Sequence, residues 1–71
     1  MKLVKTETFH FAGRVSVDSP SSWTIHAGDL HGEFQEVQEI WEDADWNQTI
    51  ITSLLTKDNQ LLAQHTAYKP W

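Results

Sequence analysis

Seven of the ten carboxylates lie between Asp29 and Asp45: Asp29, Glu33, Glu36, Glu39, Glu42, Asp43 and Asp45. No Lys or Arg stands between Arg14 and Lys57 to neutralise them. Two carboxylates work as acid and base only when their surroundings push their pKa values apart. A run this dense in charge reads as solvated, so acid–base catalysis is not expected from it. His26, Asp29 and His31 have the spacing H-x-x-D-x-H, and imidazole and carboxylate both suit zinc. A fourth ligand comes from His10 or His65 only if the fold brings one close. The simpler reading is preferred: His26 is a strand surface residue and His31 a polar residue in a first helical turn. No metal or other cofactor is expected. Cys is absent, and Ser16, Ser19, Ser21, Ser22 and Ser53 lack a G-x-S-x-G context. No Gly-rich phosphate loop occurs. No catalytic residue is assigned, and the chain is expected not to be an enzyme.

Two short stretches resemble known families. Gly28-Asp29-Leu30-His31-Gly32 is similar to the first metal-binding motif of the calcineurin-like metallophosphoesterases, and here too it follows an apolar stretch. The resemblance implies Asp29 and His31 as ligands of a two-metal centre. The later motifs of that family, GDxxDR and GNHE in form, are absent. Without them, Asp29 and His31 alone cannot build the clamp on both oxygens of the displacement. Tyr68-Lys69-Pro70-Trp71 resembles a stretch of the phage uracil-DNA glycosylase inhibitors, which are acidic DNA mimics. That match is confined to the end of the chain, and the other signatures of that family are missing.

The elements that must position these residues follow from periodicity. Leu30, Phe34, Val37, Trp41 and Ala44 recur at steps of four, three, four and three, the apolar stripe of an amphipathic helix. Asp29 fits its N-cap, and Asn47 fits a left-handed residue at its end. Carboxylates would then run along one side for about 26 Å. Such a helix has two electrostatic faults. Glu33, Glu36, Glu39 and Glu42 repel at i,i+3, and Glu42, Asp43 and Asp45 meet the negative end of the helix dipole.

Around it the β-branched and aromatic pattern predicts strands. Residues 2–11 form the first, with Phe9 and Phe11 on the core face, and Ala12-Gly13 turns into a return strand over 14–18. A short strand carries Trp23, Ile25 and Ala27. Residues 49–56 and 61–68 form a final hairpin around Lys57-Asp58-Asn59-Gln60, with Ile50, Leu54 and Leu62 inward. Trp41 is assigned to the core, Trp23 to the end of a strand, and Trp46 and Trp71 to the margin. The expected fold is α+β: a two-layer sandwich of four to five antiparallel strands and one helix, in the order ββ-β-α-ββ.

Seventy-one residues make one domain spanning 1–71. A chain of this size has a marginal core, and no disulfide is available to reinforce it. A homodimer is a second route to stability. The formal charge of −5 argues against direct nucleic-acid binding. No apolar run is long enough for a membrane span and no export signal opens the chain, so a cytoplasmic location is expected. The function that fits is a small acidic binding protein, of the kind a phage or mobile element uses as an inhibitor. It would occupy a basic, nucleic-acid-binding surface of a partner protein, through Glu33, Glu36, Glu39, Glu42, Asp43, Asp45 and Trp46. The alternative is a homo-oligomeric structural protein that associates through an open sheet face.

Overall fold

The computed structural model describes all 71 residues, Met1–Trp71. Five strands form: β1 (Lys2–Ser19), β2 (Ser22–Ile25), β3 (Leu30–Glu42), β4 (Gln48–Thr56) and β5 (Leu61–Lys69). One antiparallel sheet joins them in the order β2-β1-β3-β4-β5. The sheet curls until β2 approaches β5. There the Gln64 backbone N–H on β5 donates to the Pro20 carbonyl in the β1–β2 turn, at 2.9 Å. A nearly closed barrel results at one end of a molecule 42 Å long. The fold contains no helix, and so none long and apolar enough to cross a membrane.

The α+β sandwich and its acidic helix are overturned. Residues 30–42 are β3, bonded to β1 on one side and β4 on the other. Cross-strand partners share a face and neighbours along a strand alternate. The intended helical stripe therefore divides: Leu30 and Phe34 take one face, Val37 and Trp41 the other. The physical reason lies in the two electrostatic faults of the helix. In a strand, residues three apart stand on opposite faces about 10 Å apart, so the Glu33-Glu36-Glu39-Glu42 repulsion falls away. A strand dipole is also small. Asp29 caps nothing; it lies in the exposed β2–β3 connection, and Asn47 ends a turn between strands.

The first expected hairpin is also corrected. Ala12-Gly13 does not turn the chain back, and β1 runs on through Val15 and Val17. Gly13 stands opposite Gly32 on β3, with φ of 150° and 149°. Glycines without a Cβ accept this backbone, which marks a bend where a sheet begins to curl. The true turn follows Ser19, and β2 then pairs Trp23 with Val17 and Ile25 with Val15. The final hairpin forms as expected, to within a residue at most boundaries. Its turn is fixed by Asn59 at φ 66°, whose N–H donates to the Thr56 carbonyl at 3.0 Å. Gln35 Nε2 ties the turn to β3 by donating to Asn59 Oδ1 at 2.6 Å and to the Thr56 carbonyl at 3.1 Å.

The core sits at the closed end. Val15, Phe34, Leu54 and Ala63 are buried there, and Phe11, Val17, Trp23 and Leu62 pack against them. Phe9 stacks on Phe11 at 5.6 Å but remains 58% exposed. Trp41 is not in this core: it lies on the face opposite Phe34, half-buried, with its Nε1 buried and unpaired. Gly28, at φ 97°, passes so close to β1 that a Cβ would fall 2.5 Å from Ser16 Cβ. The β2–β3 connection can cross β1 at that distance only with glycine there.

Candidate binding site

β3 ends at Glu42 and β4 begins at Gln48, so residues 43–47 must reverse the chain. Asp43 organises this reversal. Its Oδ1 accepts from the backbone N–H of Asp45 at 2.8 Å and of Asn47 at 3.1 Å. Its Oδ2 accepts from Asn47 Nδ2 at 3.2 Å. Donation from the Asn47 side chain, and then from the Asp45 backbone, holds the Asp43 carboxyl below its ordinary pKa of 3.8. The Trp46 N–H donates to the Asp43 carbonyl at 3.2 Å, and Trp46 takes φ 68°. That left-handed backbone at the tip of the turn leaves the Trp46 side chain 65% exposed.

The C-terminal segment closes over this turn. The Trp71 N–H donates to Asn47 Oδ1 at 3.0 Å, while its indole is 94% exposed. Pro70, which has no N–H to donate to a ladder, ends β5 just before it. Glu42, Trp46, Gln48, Lys69, Pro70 and Trp71 together line a cavity of about 600 Å³. Its floor is a row of cross-strand partners in which Glu42 faces Gln48 and Gln48 faces Lys69, with Lys2 opposite Glu42 on the other side. Gln48 Nε2 donates to Glu42 Oε2 at 3.2 Å. The chain's two ion pairs lie elsewhere: Lys5 with Glu7 at 2.7 Å, and Lys57 with Glu33 at 3.4 Å. Glu42 is thus free of ion pairs in a cavity that two exposed indoles also line.

The sequence-predicted surface is only partly assembled. Glu42, Asp43, Asp45 and Trp46 come together at the β3–β4 turn. Glu33 and Glu39 share one face of β3, and Glu36 and Glu42 share the other. Glu33 is held by Lys57, and Glu36 accepts from Trp23 Nε1 at 3.0 Å inside the sheet. The continuous acidic row along one side therefore does not exist. Gln48, Lys69 and Pro70 were not foreseen as lining residues. Nothing local marks them; β4–β5 pairing alone carries residues 69–71 to the start of β4.

The potential metal ligands are likewise separated by the fold. His26 lies at φ 73° where β2 ends, Asp29 in the loop, and His31 on β3 opposite Arg14. No three His, Asp or Glu side chains are placed to hold one ion. His65 instead sets its ring against Trp23 at 5.6 Å, closing the barrel between β2 and β5.

Chemically, the cavity at the β3–β4 turn offers two indoles, a carboxylate, an amide and an ammonium, with no hydroxyl or imidazole in its lining. Indole faces attract cations, and the Glu42 carboxylate adds an opposite charge that Lys69 in the same lining partly offsets. The arrangement suits a long cationic side chain with an apolar stem. No protein-family model matches the chain, and neither a curated protein nor a solved structure is significantly similar to it.

Proposed function

We propose that the protein is a small acidic binding module that engages a Lys- or Arg-rich segment of a partner protein and thereby blocks or modulates it. The observation that carries this reading is that two exposed indoles, Trp46 and Trp71, line one cavity with the Glu42 carboxylate. Large exposed aromatics are costly to leave in water and are typical anchors of interfaces. The carboxylates steer a basic partner, and the indoles supply the contact once it arrives. Basic segments that serve nucleic acids elsewhere fall within this class, because they present the same ammonium and guanidinium groups. A chain without Cys suits such an encounter in the cytoplasm.

The test is a fluorescence and calorimetric titration with a synthetic Arg- and Lys-rich peptide. Binding is expected to shift the tryptophan emission and to weaken as salt screens the carboxylates. Trp46→Ala or Trp71→Ala is expected to weaken it about 30-fold, the size of one interface hot spot of about 2 kcal/mol. Circular dichroism should stay unchanged, since neither side chain is buried. Absence of binding at low salt, or binding indifferent to both substitutions, overturns the proposal.

A further inference from the structure

β1 is bonded to β3 along one edge from Lys2 to Val15. On its other edge β2 reaches only from Val15 to Ser19, with one further bond from the His26 N–H to the Arg14 carbonyl at 2.9 Å. The edge before Arg14 has no partner strand, and Lys2–His10 is exposed at every position. The Arg14 bond also gives the polarity of this edge. In a strand, the N–H and C=O of one residue point to the same side, and successive residues alternate. The register with β3 is unbroken from Lys5 to Val15. Thr6, Thr8 and His10 therefore aim their backbone N–H and C=O at the open edge, as Arg14 does.

Such an edge is a template for another strand. Its own sequence indicates which strand fits. The regular stretch is bounded by a bulge between Leu3 and Lys5 at one end and by Gly13 at the other. Lys5–Ala12 has two central residues, Thr8 and Phe9, and of these only Thr8 aims its backbone groups at the open edge. We propose that two copies of the chain pair antiparallel along this edge, with Thr8 opposite Thr8 of the second copy, to join the two sheets through their β1 strands. Thr6 then faces His10 of the other copy, and the three residues exchange backbone bonds with their counterparts. On the other face Lys5 meets Phe11 of the second copy, a cation over a ring. Glu7 meets Phe9, whose exposed ring gains cover.

Charge opposes a second copy less at this edge than elsewhere on the molecule. Lys2–Ala12 carries two lysines and one glutamate, +1 in a chain of −5, and Lys5 and Glu7 already neutralise each other at 2.7 Å. Like edges can meet here without the repulsion that any carboxylate-rich part of the molecule would bring. The pairing is two-fold and closes on itself, so it stops at a dimer. It also adds a neighbour to the part of the sheet that lies outside the small core. This dimer does not depend on the binding of basic segments, which takes place at the β3–β4 turn.

Sedimentation or light scattering of the whole chain should give about 16 kDa, twice 8.2 kDa. Thr8→Pro removes an N–H that β3 does not use, and proline is tolerated on an open edge; its mass should fall to that of one chain with the circular dichroism retained. The absence of native Cys allows a second measurement, independent of how the proline variant folds. In the paired register Thr8 and its counterpart have Cα atoms about 5.5 Å apart, within disulfide range. Thr8→Cys should oxidise completely to a disulfide dimer under conditions that leave Thr66→Cys, exposed on β5, largely monomeric. A wild-type chain that stays at 8.2 kDa at every concentration overturns the proposal. So does an edge that binds only unrelated extended peptides, a folded Thr8→Pro chain that remains dimeric, or a Thr8→Cys chain that cross-links no better than Thr66→Cys.

Discussion

The two ends of this molecule are built from the same strands and do different work. At the closed end, β1, β3, β4 and β5 each send one residue into a shared interior: Val15, Phe34, Leu54 and Ala63. β2 folds Trp23 over them, and the Gln64–Pro20 bond draws the sheet edges together. At the open end the same strands end in a polar row, Lys2, Glu42, Gln48 and Lys69, with Trp46 and Trp71 projecting beyond it. The closed end buries its aromatics and gives the fold its stability. The open end half-buries Trp41 but leaves Trp46 and Trp71 exposed. A chain of 71 residues with so small a core has little stability to spare, so that division should be visible in measurement.

The sharpest way to test it is Leu54→Ala. Leu54 is fully buried, and its loss leaves a cavity lined by Phe34, Val15 and Ala63. The expected cost is about 3 kcal/mol in urea unfolding, a large part of the total for a domain this small. The matched change at the open end, Trp46→Ala, should move the same unfolding midpoint by no more than about 0.5 kcal/mol. Equal effects would mean that the indole at the turn is part of the core after all.

Gly28→Ala probes how the closed end is fastened. A Cβ at 2.5 Å from Ser16, on a backbone at φ 97°, must push the β2–β3 connection off β1. A loss of about 2 kcal/mol is expected, with the indole of Trp23 reporting the displaced strand by its fluorescence. A variant as stable as the native chain would show that β2 is not held at this crossing.

The smallest effect belongs to the turn that carries Trp46. Asp43 has its pKa lowered in the folded chain, so the unfolded chain binds the proton more readily. The contribution of Asp43 is present above the unfolded value of 3.8 and is lost as pH falls through the lower folded value. Stability measured by thermal melting should therefore fall on acidification below about pH 4, and Asp43→Asn should make that acid limb shallower. An acid limb of unchanged slope would remove Asp43 from its place as organiser of the turn.

Much of the β content was legible from residue order. Alternation around Phe9 and Phe11, the Trp23-Ile25 pair, and the two apolar runs on either side of Lys57-Asp58-Asn59-Gln60 all mark strands. Trp46 and Trp71 were legible as aromatics outside the core, because each lies where its element ends. The acidic composition was legible too, as was the absence of any Lys or Arg from 15 to 56. The helix was misread because Leu30, Phe34, Val37 and Trp41 satisfy a helical period. In the sheet the same four residues divide between its two faces. The electrostatic faults in the helical reading were the local sign of the error.

What residue order determined is the supply of strands, turns and charge, because these depend on neighbours a few positions apart. What only the tertiary structure decided is where the carboxylates stand. β3 lies between β1 and β4, and that position separates Glu33 and Glu39 from Glu36 and Glu42. The pairing of β4 with β5 brings Trp71 beside Trp46. Both outcomes depend on backbone hydrogen bonds between residues distant along the chain, and those bonds fix which face each side chain takes.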